Sequence, residues 1–418
     1  MATSRNFQDM LNEYLPNALL REEIQKRDYI LQNCQKDESW LGGDVVVPFR
    51  GSRASSVSFG ALTASDDIAQ ALRVRGTMSG YKECWHSLIF YHTDIMQHGA
   101  ISDQSLLKIL PDEVEDAMSY FKDVVSVQLG SGPHFAAVTD ATDAATGIMV
   151  VDRIERFELL QKVTLDDSAT AAADYYVIAI NLNSSSVTLS ATRTGGAANV
   201  STYTVADAAK FYHPGVFDSG GAHHTFYSMR SALLSAANGG STNIHGIAKT
   251  AYPYLQALNI SGAAISSTNF LDKLFDADMD VRRKCKGNAD TYLMAYKHLG
   301  TAMKLLEVQK GGYVVTSAPK ASVYGWTEIS LASVRTGKQL KLVGIQEMDE
   351  DIIPIVDWKS FTFRTNGGFK KRMSPDGKEY FEVRATTGYS YIVDVCLFGD
   401  MEYSKPGHNA IIYGITNY

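Results

Sequence analysis

His86, His92 and His98 recur at six-residue intervals beside Cys84, and imidazoles with a thiol form a ligand set that zinc accepts. On an extended strand, however, successive members of this series stand about 20 Å apart, too far for one ion. His213, the adjacent His223 and His224, and Asp218 form a denser group that would suit metal-assisted hydrolysis. Adjacent strand residues point to opposite faces, so the pair chelates poorly and reads as loop histidines. Leu129-Gly130-Ser131-Gly132-Pro133 is rich in glycine, but it follows an apolar-periodic segment, whereas a phosphate-cradling loop precedes its helix and carries a Gly-Lys ending. It reads as a helix stop. Neither Gly-x-Ser-x-Gly nor His-Glu-x-x-His occurs, so the common hydrolase signatures give no support. Two charged runs remain. Arg282, Arg283, Lys284 and Lys286 either pair with an acidic neighbour or form a solvated helix end. Glu347, Asp349, Glu350 and Asp351 precede the apolar run IIPIVD; with no nucleophile or metal ligands nearby they read as an exposed loop able to bind a cation.

The elements that would position these groups centre on Ser102 to Gly132. Leu107, Leu110, Val114, Ala117, Met118, Phe121, Val125 and Leu129 fall three or four residues apart and form one stripe of a helix. Asp112, Glu113, Glu115 and Asp116 suit its amino-terminal end, and Gly130 and Gly132 its stop. Pro111 is expected at the first turn of the main helix, with a shorter turn or kink from Ser102 to Leu110 before it. Before this rod lie a polar arm with a weakly amphipathic helix after Asn17, then GGDVVVPF and SSVSFGALT, joined through Arg50-Gly51-Ser52-Arg53. These read as a long two-stranded ribbon over Trp40 to Gly80 with no companion core, and such a ribbon is marginal in water unless it lies on another subunit. YKECWHSLIFYHTDIM reads as a return strand. Met149 to Val205 reads as a compact β unit, an inserted small sheet or barrel. Helical patterns are expected over Phe226 to Leu234, Ile244 to Leu258 and Asn269 to Lys284. A buried strand over Thr291 to Ala295 then leads into a helix from Tyr296. The remainder is mainly strand, with turns at Asn366-Gly367-Gly368 and Pro375-Asp376-Gly377.

Composition bounds the class. The 418 residues are 45% hydrophobic and 20% charged, as in ordinary globular protein, and no apolar run reaches the roughly 18 residues of a membrane span. The polar amino terminus lacks a signal-peptide core, so a cytoplasmic protein is expected unless something else exports it. A net charge of −7 argues against coating nucleic acid through the bulk surface. The four cysteines are widely spaced and read as reduced and structural.

This order of arm, extended ribbon, spine helix, mixed α/β unit and β-rich return resembles the major capsid protein of tailed bacteriophages, a fold shared with encapsulins and the herpesvirus capsid floor. GGDVVVPFRGSRASSVSFG resembles the family's extended loop, the helix ending VQLGSG its spine helix, and YIVDVCLFGDMEYSKPGHNAIIYGI its common ending, whose last strand lies back in the peripheral domain. The resemblance implies an α+β fold. Its expected parts are an amino-terminal arm and helix (1–36), an extended β-hairpin loop (37–80), a peripheral domain with the spine helix (81–148), an inserted β unit (149–215), an axial domain (216–355) and a β-rich return to the peripheral domain (356–418). It further implies a non-enzymatic structural protein, without cofactor or metal, that forms hexamers and pentamers of an icosahedral shell around double-stranded DNA. The implied location is the virion capsid, assembled in the host bacterial cytoplasm. Implied partners are other copies of the chain, a scaffold, a portal, decoration proteins, and packaged DNA through weak non-specific contact that the Arg282 run would face; no membrane is involved. The acidic run would lie near the capsomer axis.

Some members of that family weld subunits through a lysine on the extended loop, but residues 37–81 contain no lysine. Arg50, Arg53, Arg73 and Arg75 are therefore the candidate intersubunit contacts, through charge-assisted and bidentate hydrogen bonds to acidic groups; the alternative is solvated loop charges. Two rival functions stand beside the shell: a phage tail or surface adhesion protein whose β unit binds a sugar, and a metal-assisted hydrolase using His213, His223 and Asp218.

Overall fold

The computed structural model describes residues 28–52, 71–80, 82–91, 103–167, 171–205, 209–216, 224–285, 287–309, 320–321, 326–332, 337, 339–385 and 388–415. The chain divides into two units, one of Met1–Gly130 with Tyr227–Tyr418 and one of Ser131–Phe226.

In the first unit the chain enters through α1 (Tyr29–Asn33), the only described part of the helix expected after Asn17, and β1 (Gln35–Asp37). β2 (Val45–Arg50) and β3 (Arg73–Met78) form the antiparallel ribbon, and residues 53–70 between them, with Arg53, lie outside the described residues. β4 (Lys82–Tyr91) follows, then α2 (Asp103–Gly130). At 28 residues α2 is about 42 Å long, and it runs through Pro111 where a separate turn was expected. An interior proline costs about 3 kcal/mol. The burial of Met118, Phe121, Val125 and Leu129, at about 1.5–3 kcal/mol each, outweighs it.

The second unit is a closed antiparallel barrel of β5 (His134–Asp140), β6 (Ile148–Val151), β7 (Lys162–Asp166), β8 (Ala173–Asn181), β9 (Ser186–Ser190) and β10 (Lys210–Tyr212). The short β10 closes it by pairing with both β5 and β7, which leaves no sheet edge. Phe135, Phe157 and Phe211 fill its interior, with Phe157 5.0 Å from each of the other two rings. The unit is wider than residues 149–215, because β5, needed for closure, follows directly on the end of α2.

Back in the first unit come α3 (Met229–Leu233), β11 (Asn243–Ile244), β12 (Ile247–Ala248) and β13 (Leu258–Ser261). The helix expected over Ile244 to Leu258 does not form. His245 and Gly246 instead adopt left-handed φ of 46° and 82° and turn a two-residue hairpin between β11 and β12, a conformation closed to a helix interior. α4 (Phe270–Lys284), β14 (Thr291–Met294), α5 (Tyr296–Gln309), β15 (Lys320–Ala321), β16 (Trp326–Ala332), β17 (Gln339–Ile345) and β18 (Ile352–Val356) complete the middle of the chain. β19 (Phe361–Lys371), β20 (Phe381–Ala385), β21 (Gly388–Tyr403) and β22 (Ala410–Tyr413) end it.

Two sheets result. The seven-stranded one has the order β13-β22-β18-β14-β17-β16-β15, and Phe270, Leu274, Val281, Tyr292, Leu299 and Ile353 lie in its core with α4 and α5. The five-stranded one joins β1, β19, β21 and β20 in that order, with β4 also paired to β21. α2 packs on it through Phe121, which meets His86 of β4 at 5.9 Å and Phe369 of β19 at 5.6 Å. Arg364 ties three strands together by binding Asp37 of β1 and Glu402 of β21. Two expectations are corrected here. Asn366-Gly367-Gly368 is a bulge inside β19 and not a turn, since the register against β21 shifts between Thr365 and Phe369. The last strand, β22, does not return to the sheet under α2. It crosses into the seven-stranded sheet between β13 and β18, where Ala410, Ile411 and Ile412 are buried and Tyr413 is half-buried.

Candidate functional site

The ribbon alternates in and out at every position. In β2, Val47 and Phe49 are buried while Val46, Pro48 and Arg50 are exposed; in β3, Gly76 and Met78 are buried while Arg73, Arg75 and Thr77 are exposed. The register pairs Val46 with Thr77, Pro48 with Arg75 and Arg50 with Arg73, so each face is continuous across both strands.

The inner face is seated on its own chain, which corrects the expectation of a ribbon with no companion. The Thr77 N–H donates to the His245 carbonyl at 2.9 Å, and the Phe49 ring stacks on the His245 imidazole at 6.0 Å. Gly76 leaves room for that approach: a Cβ there would stand 2.6 Å from Phe49 Cε2 and 2.8 Å from the His245 oxygen. His245 is itself held from behind, its Nε2 accepting from the Tyr403 N–H at 3.1 Å. Burial pushes the imidazole down to about 4, so it is neutral and able to accept. The sequence pointed to none of this, because the seat is a short hairpin nearly 170 residues away from Phe49–Gly76 in the chain.

The outer face carries Arg50, Arg73 and Arg75. None of the three has a carboxylate partner among the described residues, and Arg50 lies over the Tyr254 ring at 5.9 Å. Like charges directly across a strand pair repel, as Arg50 and Arg73 do here, so an anion placed against this face relieves a cost already present. Guanidinium groups can take carboxylates or phosphates through two parallel hydrogen bonds.

The other sequence candidates disperse. His86 is inside the five-stranded sheet's packing, between Tyr120 at 5.6 Å and Phe121, where burial lowers its pKa. His213 lies against the Phe135 ring at 4.6 Å, and burial followed by the nearby Arg156 charge pushes it down to about 4. His92, His98, Asp218, His223 and Lys286 lie outside the described residues. Among the described residues no three of His, Cys, Asp and Glu are placed to hold a metal, and the four cysteines are free thiols. In the basic run Arg282 binds Asp278 at 3.1 Å and Lys284 binds Asp280 at 3.1 Å, so two of its cations are already paired within α4.

The acidic run is not the exposed loop expected. Glu347 is buried against Lys122 of α2 at 2.6 Å; Arg230 of α3 reaches Asp349 at 3.3 Å and forks onto Asp351 at 2.9 and 2.5 Å; Lys297 of α5 meets Glu350 at 2.9 Å. Three helices thus converge on the loop between β17 and β18, and its charge is spent inside the unit. Lys122, next to Phe121 on the apolar stripe, was the one sequence signal of a buried partner.

No protein-family model matches the chain, and no curated protein matches it. Among solved structures it is similar to the capsid asymmetric unit of cyanophage A-1(L), at 8% identity and a TM-score of 0.47, over 92% of this chain and 91% of that one. A chain of Mycobacterium phage Adephagia is similar at 7% identity and a TM-score of 0.44, over 94% and 91%. A chain of the holo-SrpI encapsulin complex from Synechococcus elongatus is similar at 7% identity and a TM-score of 0.41, over 95% and 91%.

Proposed function

We propose that this chain is a non-enzymatic building block, a major capsid protein that self-assembles into the icosahedral shell of a tailed phage. The observation that carries the reading is the ribbon: one face is fastened to its own chain, and the other presents three arginines with no carboxylate partner among the described residues. A ribbon fastened to its own subunit by one face offers the other, basic face to an acidic surface on the next subunit. The capsid-like order of ribbon, long helix and mixed sheets in the sequence agrees with it. Copies would gather as hexamers and pentamers, and closed symmetry would multiply modest contacts into a stable shell. The shell would enclose double-stranded DNA with only weak, non-specific contact, in keeping with the net charge of −7. Assembly would take place in the host bacterial cytoplasm, with a scaffold, a portal and decoration proteins as further partners. No helix among the described residues is long and apolar enough to cross a membrane.

Size-exclusion chromatography of the purified full chain, followed by electron microscopy, tests this reading. Megadalton particles with closed walls are expected; a monodisperse monomer or dimer at all concentrations and salt conditions would overturn it.

A further inference from the structure

Asp28 caps α1 from inside the protein. It is 1% exposed, and its Oδ1 accepts from the Ile30 and Leu31 N–H groups at 2.7 and 3.2 Å. Its Oδ2 is buried with no hydrogen-bond partner among the described residues. An aspartate at a helix start is ordinarily favourable because its charge meets the helix dipole in water, but a buried carboxylate with an idle oxygen is costly.

Among the described residues the charges around Asp28 do not compensate. Lys122 of α2 attracts it, Glu347 of the β17–β18 loop repels it, and Cys34, just past α1, is a nearby titratable group on its own segment. Lys122 is already engaged by Glu347 at 2.6 Å and by Asp123 at 2.8 Å, so one ammonium serves three carboxyl groups. Burial, and then Glu347, push Asp28 up to about 7, and burial also pushes Asp123 upward.

α1 depends on this corner for its place. A five-residue helix does not hold itself, and this one is kept by Tyr29 edge-on to Trp358 at 5.8 Å and by Ile30 against the end of α2. There a Cβ on Gly130 would come within 3.4 Å of Ile30 Cδ1 and 3.1 Å of Met348 Cε, a contact with no slack.

We propose that Asp28 is a proton-operated latch: with a proton on its carboxyl group α1 is seated against α2 and the Glu347 loop, and without it the seat loosens. Each group involved belongs to one chain, so the latch stands apart from the shell reading. In an opened state the carboxyl returns toward its ordinary value of 3.8, so opening releases a proton between that value and about 7. The seat therefore weakens as pH rises through this window.

Hydrogen exchange of the full chain at pH 5.5 and 7.5, corrected for intrinsic rates, tests the latch. Amides of Gln32 and Cys34, bonded to the Asp28 and Ile30 carbonyls, should be at least about tenfold better protected at pH 5.5. In Asp28→Asn, which keeps a capping oxygen without the charge, protection should be high at both values. Equal protection in the parent, or an Asp28→Asn protein that follows the parent's pH dependence, would overturn the latch. Should that variant fail to fold, Glu347→Gln decides: removing the opposing charge should lower the midpoint of the protection curve, and an unmoved midpoint contradicts the proposal.

Discussion

Replacing Gly76 with alanine would drive a methyl group into the seat of the ribbon. The added carbon would stand 2.6 Å from Phe49 Cε2 and 2.8 Å from the His245 carbonyl oxygen, against about 3.5–4.0 Å for a comfortable carbon contact. The Phe49 ring can swing, but the carbonyl is backbone and is the acceptor of the Thr77 N–H, so relief requires β3 to lift by close to an ångström. Lifting costs that hydrogen bond, about 1 kcal/mol, and part of the roughly 1.5–3 kcal/mol from burying Phe49. Against this stands about 0.4–1 kcal/mol gained by restricting the unfolded chain. The net expectation is a loss of about 1–3 kcal/mol, concentrated at the ribbon. Hydrogen exchange at the Thr77 amide, with a denaturant midpoint for the whole chain, measures both. A variant whose Thr77 amide stays as protected as the parent's, with an unchanged or higher midpoint, would refute the seat.

Phe121→Ala should cost about 3–5 kcal/mol in urea unfolding, because the ring fills the contact between α2 and the five-stranded sheet; a loss under about 1 kcal/mol would mean that α2 is not held there. Arg230→Met should lower stability by about 1–3 kcal/mol at low salt, since Asp349 is largely buried and loses its guanidinium while the half-exposed Asp351 recovers water. His245, held down near 4 by burial, binds a proton more readily when unfolded. Its contribution is therefore complete above about 6.5 and is lost as pH falls from there toward 4, up to about 3 kcal/mol in all. His245→Asn, which tolerates the left-handed turn, should flatten that acid limb of the stability profile, and an unchanged slope would contradict the assignment.

The elements legible in the sequence are those whose own periodicity specifies them. The carboxyl-terminal half of α2 was readable because Met118, Phe121, Val125 and Leu129 lie on one side of a helix, and β14, β18 and β22 because their short, largely β-branched or aromatic apolar runs suit buried strands. What was not legible depends on residues far apart in the chain. Nothing near Val47 and Phe49 indicates that a hairpin at His245 receives them, so the ribbon looked unsupported. Nothing in Glu347 to Asp351 indicates that Lys122, Arg230 and Lys297 arrive from three helices, so a partly buried, ion-paired hub looked like a solvated loop. The segment after Ile244 was misread for a local reason, since its apolar spacing suits a helix but the left-handed His245-Gly246 pair does not. Arg50, Arg73 and Arg75 stood out in the sequence as loop arginines; that the three share one face followed only from the strand register.

Sedimentation velocity of Arg50→Glu/Arg73→Glu/Arg75→Glu beside the parent chain, with circular dichroism and thermal unfolding on both, probes the role of the ribbon's basic face directly. The variant is expected to fold as the parent does but to remain as small species where the parent forms particles. Particles of the same size and yield from the charge-reversed chain would contradict that role.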